Sequence, residues 1–385
     1  MKILHTSDWH LGRSLHGADL GSAQEAFVDH LVEVVTTESV NVVAIAGDVY
    51  DRAIPPVHAV ALLEDALARI RSAGAQVIAI SGNHDSAARL GFGSSLMTAG
   101  GVHLRTDAAK VAAPVLVGDV GFYCLPYLEP DAVRSHLPAD PAGATEELGR
   151  SHEAVTSRAM DCVRADAAAR GLSRRVVLAH GWVTGGESCA SERDISVGGV
   201  GSVPTSLFDG IDYVALGHLH GQQTLDAHLR YSGSPVAYSF SESNHRKGSW
   251  LVELEAGGLA TVTAVPAPVH RGLAVITGTV DELLSSRNHD AHESSYVSAV
   301  ATDEQRPVEP MERLRSRFPH ILTFQWVAPE AAADPRTYAQ RVRGKSDLDL
   351  ALDFVAHVRS PAESDEEDLL TAALSAGLGV EESAA

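Results

Sequence analysis

The stretch QVIAISGNHDSAARL, residues 76–90, runs a short apolar segment directly into Gly82, Asn83, His84 and Asp85. An apolar run of this length that ends at glycine predicts a strand over Gln76–Ser81. Successive side chains leaving a strand point in different directions, so Asn83, His84 and Asp85 cannot share one task. The same arrangement recurs along the chain. Asp8-Trp9-His10 follows the expected strand Lys2–Thr6, Gly47-Asp48-Val49-Tyr50-Asp51 follows Val40–Ala46, His180-Gly181 follows Arg175–Ala179, and Gly217-His218-Leu219-His220 follows Tyr213–Leu216. Ligands of α/β sheets bind beyond the carboxyl ends of strands. These clusters are therefore expected to converge on one site, although residues 8 and 220 lie far apart in sequence.

The chemistry of the set is coherent. Asp, Asn and neutral His offer mixed oxygen and imidazole donors suited to Mn²⁺, Fe or Zn²⁺, with no thiolate required. In D-x-H and H-x-H, alternate residues of an extended segment project to one side, so each motif can supply two ligands to one site. A carboxylate such as Asp48 is able to bridge two cations about 3.5–4 Å apart, the spacing of two-metal hydrolytic sites. Glycines at 47, 82, 181 and 217 would let the backbone turn sharply beside the ligands. A single D-x-H is more often a solvated turn than a ligand pair. The ordered set D-x-H, G-D-x-x-D, G-N-H-D, H-G, G-H-x-H has no comparable structural explanation.

The 385 residues suggest two or three domains. A formal net charge of −20 argues against a chain that grips nucleic acid by general electrostatic attraction. A polyanionic substrate would need metal ions, a local basic patch or a basic partner. Cys124, Cys162 and Cys189 are odd in number and lack C-x-x-C spacing, which argues against a disulfide framework or a thiolate zinc site. No apolar run approaches the roughly 20 residues that cross a bilayer, and the expected location is cytoplasmic.

Further strands expected at Gly121–Leu125, His228–Ser232 and Trp250–Leu254 join helices expected at Ala23–Glu38, Val57–Ala73 and Glu153–Ala169 in a layered α/β pattern. VPAPVHRG, residues 265–272, reads as a linker and closes a first domain at 1–265. Beyond it, Tyr296–Ala301, a helix near Pro310–Phe318 and Leu322–Val327 suggest a small β-α-β domain at 270–330. Leu348, Ala351, Leu352, Val355 and Val358 line one helical face, and Ser364 and Glu367 are spaced as a capping box before Leu369, Leu370 and Leu374. This C-terminal helical segment, 345–376, is too short to fold alone.

The ordered motifs resemble the calcineurin-like metallophosphoesterase family over roughly residues 1–265. The resemblance implies an α/β fold, a four-layer sandwich of two β-sheets flanked by helices, that holds a dinuclear metal site. Carried over motif by motif, Asp8, His10 and His220 would hold one metal and Asn83, His180 and His218 the other, with Asp48 bridging. It also implies His84 as the proton donor to the leaving oxygen, with the Asp51 carboxylate orienting the ring and raising its pKa. Arg52 would stand where the family's phosphatases touch phosphate, although the glycine that follows it there is Ala53 here. Asp85 reads as a helix cap ahead of Ala87-Ala88-Arg89-Leu90.

A narrower resemblance, to the bacterial nuclease subunits of double-strand-break repair complexes, rests on MKILHTSDWHLG, ISGNHDS, SERDISVGGVGSVP, ALGHLHGQQ and YSGSPVAYSFSE. It implies Mn²⁺-dependent exonuclease and endonuclease action on double-stranded DNA ends and hairpins by a nucleoid-associated homodimer. It also implies that the small α+β domain at 270–330 caps the DNA and that the C-terminal segment docks on an SbcC-type SMC-like ATPase. Ser191, Arg193 and the glycine-rich loop at 194–203 would then line a DNA channel. The residues themselves leave open a phosphoesterase that acts on a small nucleotide diester. A metal-stabilised scaffold with a vestigial site is disfavoured, since every expected ligand and His84 are present.

Overall fold

The segment Val42–Ala46 is an unbroken apolar run, VVAIA, and all of it is buried, as a strand covered on both faces requires. Its alternate residues serve two different cores. Val42, Ala44 and Ala46 pack with Ile3, Ile78, Phe122, Val176, Leu178 and Tyr213. Val43 and Ile45 turn the other way, onto Phe27, Leu31, Leu63 and Leu67 of helices Gly21–Thr37 and Val57–Ser72. The first core lies between two sheets and the second between one sheet and its helices.

The computed structural model describes residues 1–143, 145, 147–195, 201–327, 342, 344–358 and 361–381. The chain divides into two compact units, Met1–Leu273 and Ala274–Ala385. In the first unit, strands Lys2–Thr6, Val42–Ala46, Gln76–Ile80 and Val102–Arg105 run parallel. Gly248–Glu255 and Gly258–Pro266 extend that sheet antiparallel to six strands. The other six-stranded sheet has Val120–Leu125, Arg174–His180, Tyr213–Gly217 and Leu229–Tyr231 in parallel. Its outer face packs on Val155, Ala159, Met160 and Val163 of helix His152–Arg170. The result is the four-layer sandwich expected from the sequence, helix on sheet on sheet on helix.

One buried polar side chain ties the two sheets together. His5 sits on the inter-sheet face of Lys2–Thr6, fully buried. Its Nδ1 lies 2.8 Å from the Tyr213 hydroxyl and its Nε2 lies 3.1 Å from the Leu216 carbonyl. A carbonyl only accepts, so Nε2 carries the proton and Nδ1 accepts from Tyr213.

Several strands were not legible in the sequence, Leu273–Gly278 among them. Val102–Arg105 and Val115–Val117 are short and lie at sheet edges, and Gly258–Pro266 is an edge strand that exposes most of its residues. That last strand runs into VPAPVHRG and narrows the irregular stretch to 267–272.

In the second unit, Tyr296–Ala301 and Ile321–Trp326 pair in parallel with helix Pro310–Arg315 between them, and Leu273–Gly278 adds a third strand. Ile276, Leu283, Val297, Leu314 and Phe318 form its core. The C-terminal helices, Asp347–Val358 and Ser364–Glu381, pack against each other. The reach-back bond of the expected capping box forms one residue earlier than Ser364 and Glu367 would place it. Glu366 Oε2 accepts from the Glu363 backbone N–H at 3.1 Å, because the reaching-back carboxylate must stand three residues after the cap. No helix among the described residues is long and apolar enough to cross a membrane.

Candidate metal centre

The parallel strands of both sheets deliver their carboxyl ends to one place. The Asp8 N–H donates to the Gly47 carbonyl and the His10 N–H to the Asp48 carbonyl, both at 3.0 Å. The His218 N–H reaches both Asp8 carboxylate oxygens at 3.1 Å, which joins the first sheet's strand end to the second's. Asp8, His10, Asp48 and His218 all have positive φ, 54°, 43°, 46° and 109°. Such backbone costs about 1–3 kcal/mol per residue and persists where the surroundings dictate it, typically at functional sites. Gly82 supplies close approach, since a Cβ there would collide with the Asp48 carboxylate and backbone nitrogen.

All seven residues expected as metal ligands come together. The donor atoms of Asp8, His10 and His220 lie within 4.8 Å of one another, as do those of Asp8, Asp48 and His180. Asn83 Oδ1 stands 2.9 Å from His180 Nε2 and 3.1 Å from His218 Nδ1. Asp48 Oδ2 lies between the two groups, 3.7 Å from His10 Nε2 and 3.6 Å from His180 Nε2.

The contacts among these atoms suit cation ligands. His180 Nδ1 lies 2.8 Å from the Ala46 carbonyl, which only accepts, so Nε2 turns a lone pair toward the Asn83 oxygen. Asn83 Nδ2 and His10 Nδ1 are buried without a hydrogen-bond partner. His10 Nε2 and His220 Nε2 face each other at 3.0 Å. Two donors each about 2.1 Å from one octahedral cation would stand about 3 Å apart. Burial pushes the Asp8 carboxyl well above its usual range and raises Asp48 to about 6. It also lowers His180 to about 4 and drives His10 and His218 well below the ordinary imidazole value. A cavity that favours neutral imidazoles and strains to keep carboxylates charged is one that a bound cation would balance. The residues fit two divalent ions.

Around this centre the structure revises several assignments. His84 Nδ1 bonds the backbone carbonyl of Asp51 at 2.7 Å, not its carboxylate, which faces Arg13 Nε and Arg52 Nη2, both at 3.6 Å. Burial, opposed by Asp48, leaves the His84 pKa lowered rather than raised. Asp85 caps no helix. Its carboxylate accepts from the Val49, Tyr50 and Gly82 N–H groups at 2.9–3.0 Å, pinning two ligand loops together, while Ser86 caps Ala87–Leu90. The Arg52 side chain is 65% exposed. Arg13 is the better-placed cation: its Nη2 donates to the Ser191 carbonyl at 2.9 Å and its Nη1 is buried without a partner. Arg193 Nη1 reaches the Asn83 carbonyl at 3.4 Å. Of the glycine-rich loop, residues 196–200 lie outside the described residues.

Several supporting residues, Tyr238 apart, were not singled out in the sequence. Ser7 Oγ donates to Asp8 at 2.5 Å and meets Ser232 Oγ at 2.7 Å. Gln24 Nε2 donates to the His10 carbonyl at 2.9 Å. Tyr238 donates to the Trp9 carbonyl, and Glu192, Glu242 and Lys247 surround His220. The available signal was an acidic residue closing YSGSPVAYSFSE, a segment otherwise small or apolar. The three cysteines are free, and the half-buried Cys189 places Sγ 2.9 Å from Ser191 Oγ.

The sequence profile of the calcineurin-like phosphoesterase family matches residues 1–222. Among solved structures, the chain is similar to GAP50, the anchor in the inner membrane complex of Plasmodium, at 10% identity and a TM-score of 0.37, over 70% of this chain and 89% of that one. It is also similar to a dimetal phosphatase from Danio rerio at 12% identity and a TM-score of 0.38, over 70% of this chain and 99% of that one.

Proposed function

The chain belongs to the calcineurin-like phosphoesterase family, and from that premise we propose that it is a metal-dependent DNA nuclease of the SbcD type. It would hydrolyse phosphodiester bonds at double-strand ends and hairpins with two Mn²⁺ ions, as a homodimer working with an SbcC-type SMC-like ATPase. One observation carries the reading. The ligands are braced by the two segments that carry the narrower resemblance, SERDISVGGVGSVP through Ser191 and Glu192, and YSGSPVAYSFSE through Ser232, Tyr238 and Glu242.

Asp8, His10 and His220 would hold one ion, and Asn83, His180 and His218 the other, with Asp48 between them. When bound, such a pair lowers the pKa of water and polarises phosphoryl oxygens. The chain's own groups do the rest. With Nδ1 donating to the Asp51 carbonyl, His84 presents Nε2 as its free nitrogen. That nitrogen carries a proton only in the imidazolium, a form that the negative charge of a bound phosphodiester favours. His84 then passes the proton to the leaving oxygen. Arg13 and Arg193 give an otherwise acidic chain local positive charge beside the ligands.

The test offers hairpin DNA, linear duplex and bis-p-nitrophenyl phosphate to the full chain with Mn²⁺, with and without the cognate ATPase. Cleavage of DNA ends that rises with the partner is expected, and His84→Ala should keep both metals while losing about 10²–10⁴-fold in rate. Turnover of the small diester without DNA cleavage would install a small nucleotide diester as the substrate instead. Loss of metal from His84→Ala would make His84 a ligand.

A further inference from the structure

His220 is fixed at every polar atom it has. Its Nε2 faces His10, its N–H donates to Glu192 Oε1 at 2.7 Å, and its carbonyl accepts from Lys247 Nζ at 2.9 Å. Its Nδ1 lies 2.8 Å from Ser191 Oγ and 3.2 Å from Glu242 Oε1. The Glu242 side chain is 0% exposed, and its other oxygen pairs with Lys247 Nζ, itself 8% exposed. Lys247 also donates to Ser234 Oγ at 2.9 Å.

We propose that Glu242, its charge balanced by Lys247, is a positioning residue of the metal centre: it accepts a hydrogen bond from His220 Nδ1–H, holds the proton on that nitrogen, and so commits Nε2 as the lone-pair donor to an ion shared with Asp8 and His10. The inference rests on the metal centre of the proposed function. Imidazole has two neutral tautomers, and only one aims a lone pair at the ion. The Ser191 hydroxyl both donates and accepts, so it cannot choose between them, whereas an ionised carboxylate only accepts. Alone, a buried carboxylate would be too costly to keep charged. Lys247 removes that obstacle and also grips the His220 carbonyl, so one ion pair sets both the tautomer and the ring position. The imidazoles of His180 and His10 have no carboxylate at hydrogen-bonding distance behind them, the Asp51 carboxylate standing 3.9 Å from His10 Nδ1. His180 Nδ1 meets a backbone carbonyl, and His10 Nδ1 has no hydrogen-bond partner. A carboxylate behind a ligating imidazole also raises its basicity, and losing it typically lowers metal affinity about 10–100-fold.

A buried ion pair that merely braced the fold would give a different pattern, which equilibrium dialysis of the full chain against Mn²⁺ separates. Wild type should bind two equivalents. At the free Mn²⁺ that just saturates it, Glu242→Gln should keep about one, through a loss of about 10–100-fold at a single site. Adding Lys247→Met removes the stranded ammonium, so Glu242→Gln/Lys247→Met should regain melting temperature but not the lost equivalent. Two ions bound with wild-type affinity by Glu242→Gln overturns the inference. So does a loss shared equally by both sites that the double variant repairs. A wild type that binds no Mn²⁺ overturns the metal centre and the inference with it. A wild type that binds two, loses one in Glu242→Gln and cuts no DNA supports the inference and overturns only the nuclease reading.

Discussion

At the scale of single residues, the site depends on atoms that the chain omits as much as on those it supplies. Gly47, Gly82, Gly181 and Gly217 look alike in the sequence, each beside a ligand. A Cβ on Gly82 would land on the Asp48 carboxylate and nitrogen, whereas one on Gly181 meets nothing within 4 Å. Gly82→Ala is therefore expected to cost about 1–3 kcal/mol of stability through overpacking and to displace the carboxylate that lies between the two ligand groups. Gly181→Ala should behave as wild type. Urea unfolding and bound-metal analysis check both, and equal effects of the two substitutions would remove close packing as the cause. The donors themselves were legible, because residue type and strand-end position name them together. Which atom of a neighbour a side chain meets was not. Asp51 was expected to orient His84 with its carboxylate, and the turn that places it there presents its carbonyl instead.

At the scale of elements, strands buried on both faces announced themselves as apolar runs, VVAIA and QVIAI being the clearest. Edge strands did not: Val102–Arg105 breaks its apolar run with His103, which is buried and bonded to Gln76, and Gly258–Pro266 leaves most of its residues exposed. Nor did the sequence show how the sheets are joined, because His5 is a lone histidine until Tyr213 and Leu216 of the other sheet stand beside it. Burial, partly opposed by the Leu216 hydrogen bond, holds His5 down at about 3 from an ordinary 6.5. The unfolded chain thus takes up a proton below about pH 6.5 that the folded chain refuses until about pH 3, so stability falls as pH drops through that window. Between pH 7 and pH 5, wild type should lose about 2 kcal/mol more than His5→Gln, whose amide can serve both partners without titrating. Urea unfolding of the two proteins at each pH measures that difference directly, and parallel losses would show that His5 stays uncharged in neither state's favour.

At the scale of the whole molecule, a formal charge of −20 stands against a polyanionic substrate. The acidic balance is not relieved at the centre by an array of basic side chains: Arg13 and Arg193 stand beside the candidate ligands, Lys247 there is buried and paired with Glu242, and the remaining attraction for phosphate would come from bound metals. Each phosphate neutralised by Lys or Arg steepens the salt dependence of duplex binding by about one unit on a logarithmic scale. Two arginines predict a slope of magnitude about 2 for the chain alone, with affinity no better than the roughly 10⁻⁴–10⁻⁶ M of non-specific binding at physiological salt. If the ATPase supplies the grip, its addition must both tighten binding and steepen that slope, while Arg13→Ala and Arg193→Ala each flatten the slope of the isolated chain. Titrating labelled duplex with the chain, with and without partner, at several salt concentrations reads all of these. Tight binding by the chain alone, with a steep slope, would place the DNA-gripping surface on this acidic protein and overturn the proposed division of labour between an ATPase that holds DNA and a chain that cuts it.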